Sequence, residues 1–423
     1  MPRPAAFSGR PWLLLPLIVC GVYVLLQFAA GSSWTLYPDS YRYARSAEQH
    51  LGASRAEAHR TALAAYCASR ADAAAATHRL DPLATGQPST GSASACVARW
   101  ADAPDITTGD SRYQAIFSSR PGYPLLAAPF IAAFGVLDGM RVLGVVLALA
   151  GSLLVLGVLR SAGLPPPAAV LGQIAFLVTP LGWWSLQALS EGLVTVCVLG
   201  VIWGGLLLMN KRPLPGVLLF AGSLAACTVT RYSTALVLAA LIAATAFITW
   251  CVRRSRGALL LTAVAGAGAA VVALTMRLLD LPSTQVTLQD TFTRHFRSPK
   301  VPDPWSRLAD LGLTYWRHWL AEQTAMPFFL VLTAAAIWAL WRYGRGLTPL
   351  ACAAFLTGVS QITAHPLAQE ADRLGVLMWV PVVLGAPLIV LSLPDFSSGR
   401  MARTVRGPAS TVEPSRADAA DSR

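Results

Sequence analysis

Ten long apolar runs, with short basic turns at four of their connections, set the hydrophobic pattern of this chain. They cover about Trp12–Ala30, Arg141–Leu159, Pro167–Leu181, Ser190–Met209, Leu214–Val229, Ser233–Val252, Gly257–Met276, Ala321–Trp341, Leu347–Ala364 and Leu374–Leu393. Most approach the roughly 20 residues that a helix needs to cross a bilayer. The runs are continuous rather than alternating, which excludes a membrane β-barrel. The pattern predicts an all-α integral membrane protein of about ten transmembrane helices.

Two long polar stretches interrupt the runs. Residues 31–123 form a first loop, with an Ala-dense helix predicted over Ala56–Ala76 and a Gly/Pro/Ser/Thr-rich turn over Thr85–Ser94. Residues 278–320 form a second loop that mixes Arg294, His295, Arg297, Lys300 and Arg307 with Trp305, Trp316 and Trp319. That mixture suits a helix lying on a lipid surface. The expected organisation is a transmembrane domain over 1–393, including both loops and their juxtamembrane helices, followed by a disordered cytoplasmic tail over 394–423.

The segment 121–137 decides the topology. It holds three prolines and is short for a crossing, so it reads as an interfacial helix. With that choice the turns bearing Arg160, Lys211-Arg212, Arg253-Arg254-Arg256 and Arg342-Arg345 all face the cytoplasm, together with both termini, as positive-inside charge bias requires. The opposite, extracytoplasmic face then carries Asp39, Asp110, Arg120, Glu191, Arg231, His365, Glu370, Asp372 and Arg373. The predicted location is a bacterial plasma membrane, with the chemistry outside.

Composition agrees: 55% of residues are hydrophobic, 13% are charged, and the mean hydropathy is +0.53. The net charge of +12 follows from the basic turns and does not imply nucleic-acid binding. Of seven cysteines, Cys20, Cys197, Cys227, Cys251 and Cys352 lie in apolar runs. Cys67 and Cys96 share the first loop, where they are either a disulfide or two thiols. No P-loop, HExxH, partnered GxSxG or Gly-rich dinucleotide turn occurs.

Several residues have chemistry to offer. Asp39, in Tyr37-Pro38-Asp39-Ser40-Tyr41, is either the N-cap of a helix over Ser40–Gly52 or a general base at the headgroup boundary. Asp110 repeats the Asp-Ser pattern at the other end of the loop, as a cap or a partner acid. Arg120-Pro121-Gly122-Tyr123-Pro124 is a rigid turn with Tyr123 as an aromatic anchor and Arg120 in reach of a phosphate. Glu191 opens an apolar run, where an acid is costly unless it is used. Arg231 stands by itself at an outer hairpin tip, against the charge bias, and so needs an anionic partner. His365, Glu370 and Arg373 form a late polar cluster. Glu370 and Arg373 share a helical face and read either as a self-neutralised pair or as a phosphate clamp.

Taken together, Asp39 after the first helix, the R-P-G-Y-P-L turn at Arg120–Leu125, the Ser190-Glu191 helix start, the outer Arg231 and the late Glu370-x-x-Arg373 resemble the polytopic GT-C membrane glycosyltransferases. The similarity is to the bacterial branch related to protein O-mannosyltransferases and the lipid A aminoarabinose transferase, over roughly residues 10 to 395. It implies inverting transfer of a sugar from a polyprenyl-phosphate donor to an extracytoplasmic glycan, lipid or protein hydroxyl. Asp39 is then the catalytic base. Arg120, Tyr123, Glu191, Arg231, His365, Glu370 and Arg373 contact the substrate or the donor phosphate. A divalent cation, Mg or Mn, has Asp39, Asp110 and Glu191 as candidate ligands, although no Asp-x-Asp pair follows the first helix. The alternatives are a polyprenyl-lipid transporter or flippase and a non-catalytic envelope-assembly protein.

Overall fold

In the computed structural model the chain is described over residues 11–29, 34–81, 83, 92–344 and 346–392. The expected tail at 394–423, Arg345 and residues 85–91 of the predicted turn lie outside the described residues. The described residues are mostly helical, with no strand among them.

Helix α1 (Pro11–Ala29) is the first apolar run. The first polar loop then folds into α2 (Pro38–His50), α3 (Arg55–Arg79), α4 (Ala93–Trp100) and α5 (Ser111–Ser118). Local chemistry fixes their starts. Pro38 occupies the first turn of α2, where a missing N–H costs nothing. Ser54 and Glu57 cap α3 reciprocally, Ser54 N donating to Glu57 Oε2 at 3.0 Å. Asp110 Oδ1 accepts from Arg112 N at 2.9 Å to cap α5. Cys67 and Cys96 form a disulfide that ties α3 to α4.

The apolar bundle consists of α6 (Gly122–Ser161), α7 (Pro166–Val178), α8 (Pro180–Leu186), α9 (Ser190–Met209), α10 (Pro213–Arg253), α11 (Arg256–Leu278), α14 (Phe328–Tyr343), α15 (Thr348–Ala364) and α17 (Val380–Ser392). In the second loop lie α12 (Thr284–Phe292) and α13 (Pro304–Ala325), and α16 (Ala368–Leu374) leads through a 3₁₀ turn at Gly375–Trp379 into α17. Five helices, counting Ala368–Ser392 as one, are long and apolar enough to cross a membrane; the bent pairs α7–α8 and α13–α14 raise this to seven. The protein is therefore an all-α, multi-pass membrane protein.

Breaks inside these helices matter more than their number. Gly135 departs from helical geometry within α6 at φ 77°, a value that suits glycine, and separates the Pro-rich 122–134 segment from the run that follows. Arg231 interrupts α10. The two ends of α10 lie at the same end of the molecule: Gly216 in its first turn and Gly257, at the start of α11 just beyond its last turn, both pack on the Leu208–Met209 end of α9. Arg231 itself sits at the opposite end, against Glu191 at the start of α9. The pair α13–α14 bends by 89° at Met326-Pro327, where proline removes the donor that would continue the helix. Expected to join one run from Ala321, this spanning segment starts at Phe328 instead.

Two cores result. One fills the bundle around α6, α7, α9, α10 and α15. The other packs Tyr41, Tyr43, Ala44 and Ala47 of α2 against Tyr123, Ala127 and Ile131 of α6. This second core holds the first loop down on the bundle and presents α2 to the ends of α9, α10 and α16.

Candidate active site

Asp39 is not the cap of α2. It lies inside the first turn, and the preceding Tyr37 N donates to Ser40 Oγ at 3.0 Å. An acid there is favoured by the helix dipole, and its side chain is free to turn to the bundle. Arg373 of α16 donates from Nη1 to Asp39 Oδ2 at 2.9 Å, joining residues 334 positions apart. The same guanidinium donates from Nη2 to Glu370 Oε2 at 3.0 Å, and its Nε lies 3.4 Å from Glu191 Oε1. Arg373 thus bridges three carboxylates.

Glu191, only 2% exposed, is held from the other side by Arg231, whose Nη2 donates to Glu191 Oε1 at 2.8 Å and to Ser190 Oγ at 2.9 Å. The outward cation that needed an anionic partner has one. Close packing places it there: the backbone of Gly122 runs against Thr230, and an added Cβ would lie 2.6 Å from Thr230 Oγ1. The glycine of the R-P-G-Y turn is required for this approach. Tyr43 of α2 also donates to Ser190 Oγ at 3.2 Å. His365 reaches the cluster through Glu370, with its Nε2 3.4 Å from Glu370 Oε2 and its Nδ1 2.9 Å from Thr291 Oγ1.

No protein-family profile, curated protein or solved structure matches this chain. What the site can do is therefore argued from its geometry.

Behind α2 stands a second tier. Arg42, 1% exposed, donates from Nη2 to Asp105 Oδ1 at 2.8 Å and lies 3.5 Å from Asp39 Oδ1. Arg45 pairs with Asp105 Oδ2 at 3.2 Å and donates to Gln114 Oε1 at 2.7 Å. The Tyr113 and Phe117 rings face the Arg42 guanidinium at 4.8 and 4.6 Å. Asp105, with a fully buried side chain, escaped the sequence reading; nothing in Ala103-Pro104-Asp105-Ile106 marks it. Arg42 did leave a signal, since it lies three residues from Asp39 on one helical face.

Two expectations are corrected. Asp110 lies outside the cluster and pairs with Arg112 at 2.8 Å while capping α5. The acid triad Asp39, Asp110 and Glu191 therefore does not assemble as a metal site. Among the described residues no group of three His, Cys, Asp or Glu side chains is placed to hold an ion. The carboxylates that do converge, Asp39 and Glu191, already face arginines, which is the wrong donor set for a cation.

Arg120 is the exception to this neutralisation. Its guanidinium makes no hydrogen bond or ion pair among the described residues; it faces the Tyr232 ring at 5.9 Å, and its Nε is buried without a partner. The buried Tyr123 hydroxyl, Glu191 Oε2 and Arg231 Nε are likewise unpartnered. Arg42, Arg45, Arg231 and Arg373 pair with the acids Asp39, Asp105, Glu191 and Glu370, whereas Arg120 has no acid partner among the described residues. Unmet guanidinium and hydroxyl donors beside an unmet carboxylate oxygen suit an anionic, hydroxyl-bearing ligand.

Beside the cluster a cavity of about 610 Å³ runs between α1, α8, α13 and α16. Tyr23, Trp183, Trp184, Trp319, Phe329 and Trp379 give it aromatic walls, and Asp372 lies on its lining next to Arg373. The Trp184 ring sits 6.3 Å from the Tyr37 ring, two residues from Asp39. An apolar pocket thus adjoins the charged cluster.

Burial works against the charge on Asp39, but Arg373, Arg42 and Arg231 outweigh it and hold its pKa below the usual carboxylate range. A depressed carboxylate pKa contributes stability that is present above the unfolded value of about 3.9 and lost only as pH falls through the lower folded value. The cluster is expected to stay assembled down to about pH 4 and to loosen below it. Thermal unfolding of the purified chain between pH 7 and pH 3, compared with Asp39→Asn, checks this. A loss tied to Asp39 near pH 6 would contradict it.

Proposed function

We propose that this protein is a membrane glycosyltransferase that moves a sugar from a polyprenyl-phosphate donor to an acceptor hydroxyl, with inversion at the anomeric carbon. The observation that carries this reading is Arg373 joining Asp39, Glu191 and Glu370 beside an aromatic-walled cavity. The cavity suits a polyprenyl chain, and the cations at its head suit a phosphate.

In this scheme the chain lies against Trp184 and Trp319, and the phosphate meets Arg120 and Arg373. Asp39 takes the proton from the acceptor hydroxyl as that oxygen attacks the anomeric carbon. The bond from that carbon to the phosphate oxygen breaks, and the negative charge that grows on the phosphate is met by the guanidinium groups. Arg373 links the two events. While it is paired with Asp39 it lowers the basicity of the acid; as it turns towards the departing phosphate, Asp39 becomes the stronger base. Glu191 and Glu370 keep Arg373 and Arg231 oriented, and Tyr123 offers its free hydroxyl to the sugar.

The proposed topology has ten crossings, which the helices support: α1 and α15 add to the seven apolar spans, and α10 counts twice when it folds back at Arg231. Arg160, Arg212, Arg253 and Arg342 then mark the cytoplasmic side of a bacterial plasma membrane, and the site opens outward.

The test is reconstitution of the full chain in liposomes with radiolabelled polyprenyl-phosphate sugars and a glycan, lipid or peptide acceptor. Donor binding and acceptor-dependent release of polyprenyl phosphate are expected. Arg120→Gln is expected to weaken donor binding about 10- to 100-fold, the cost of one charged hydrogen bond. A chain that neither binds nor turns over any such donor sinks the reading.

A further inference from the structure

Two neighbouring residues of α16 go to different places. Arg373 directs its Nη1, Nη2 and Nε to Asp39, Glu370 and Glu191, so none of its nitrogens is left for the residue before it. Asp372 instead lines the cavity of about 610 Å³, where it is exposed and makes no hydrogen bond or ion pair among the described residues. No Lys, Arg or His lines that cavity among the described residues, so the carboxylate of Asp372 sets the sign of its field.

The walls hold other groups with bonds to give. Tyr23 and Gln27 of α1 and Tyr315 and Gln323 of α13 line the cavity. None of these four side chains is hydrogen-bonded within the protein among the described residues. Phenol hydroxyls and side-chain amides donate and accept, whereas an ionised carboxylate only accepts. A hydrocarbon chain by itself would leave all five groups without a partner. Aromatic walls interrupted by free donors and acceptors fit a ring with C–H faces and a hydroxyl edge, which is the shape of a sugar.

We propose that Asp372 selects the sugar seated in this cavity. Its carboxylate accepts hydrogen bonds from the hydroxyls of a neutral sugar and repels a sugar that bears a carboxylate of its own. The inference rests on the reading of the cavity as the donor's seat and names the class of sugar that the donor carries: a neutral polyhydroxy sugar, not a uronic acid. The donor phosphate is met by Arg373, one position further along the same helix, so the two anionic groups of such a donor would meet opposite fields.

The test follows tritiated octyl glucoside and octyl glucuronide, which share chain and ring and differ by one carboxylate. Each is bound to the full chain in phosphatidylcholine nanodiscs, with binding to empty nanodiscs subtracted. The glucoside is expected to bind about tenfold or more tightly, the discrimination that one like-charge contact gives in a partly dry site. In Asp372→Asn the glucuronide is expected to gain until the two lie within about twofold of each other. Asp372 is exposed and unpaired, so this variant is expected to keep the melting temperature of the unaltered chain. Equal binding of the two glycosides by the unaltered chain, an unchanged ratio in Asp372→Asn, or no saturable binding of either would each overturn the proposal. The assay includes no transfer step, which keeps the two readings apart. A chain that shows this preference but neither binds nor turns over a polyprenyl-phosphate donor loses the transferase reading and keeps the selection by Asp372. A chain that transfers glucuronosyl as fast as glucosyl from such donors loses the selection and keeps the transferase reading.

Discussion

Asp39→Asn is expected to lower sugar transfer by about 10²- to 10⁴-fold, the usual contribution of a positioned general base, while donor binding changes far less. The substitution keeps the size and the hydrogen-bond acceptor that Arg373 Nη1 meets at 2.9 Å, but removes the charge and the proton affinity. Loss of the ion pair could also disturb α16, so the measurement has to separate the two effects. Donor affinity and thermal unfolding report on the assembled site, and single-turnover release of polyprenyl phosphate reports on the chemical step. Asp39→Glu, which restores a carboxylate at the wrong distance, should recover the ion pairing better than the rate. An Asp39→Asn chain that transfers sugar at the unaltered rate would remove Asp39 as the base and leave it a structural partner of Arg42 and Arg373.

Asp105→Ala is expected to have the largest effect on stability, a loss of about 3–5 kcal/mol, because it strips a buried carboxylate from two arginines that cannot leave. Arg42 is almost wholly inside, and Asp105 is its closest ion-pair partner at 2.8 Å. Arg45 keeps only neutral acceptors, Gln114 Oε1, Pro104 O and the Tyr41 hydroxyl. Chemical or thermal unfolding in detergent measures the loss, and Asp105→Asn should fall between the two because it keeps the acceptor without the charge. Combining Asp105→Ala with Arg45→Met should return part of the stability, since the cost lies mainly in the unpaired cation. If Asp105→Ala unfolds like the unaltered chain, the second tier behind α2 contributes nothing and Arg42 is held by its aromatic neighbours.

The part of the site that could be read from the sequence was the part that broke a rule. Glu191 stood at the head of an apolar run, Arg231 contradicted the charge bias of short turns, and Glu370 and Arg373 shared one helical face. Each of those conflicts has a local cause that a single sequence displays. Asp105 broke no rule, since a polar loop is an ordinary place for an aspartate, and only its burial distinguishes it. Asp110 followed the cap alternative: its Asp-Ser motif matched that of Asp39, but only Asp110 caps its helix, pairing also with Arg112, whereas Asp39 lies inside the first turn of α2.

By itself the sequence determined the helical class, the membrane environment and which residues were too polar for their surroundings, because hydrophobic period and charge placement are local and additive along the chain. Only the tertiary structure decided that Arg373 would meet Asp39 across 334 positions, that Asp105 would be buried against Arg42 and Arg45, and that aromatic rings from four helices and a 3₁₀ turn would wall one cavity. Those contacts depend on how helices pack and where prolines and glycines let them bend. Close packing relates residues by distance in space, which the order of residues along the chain does not encode.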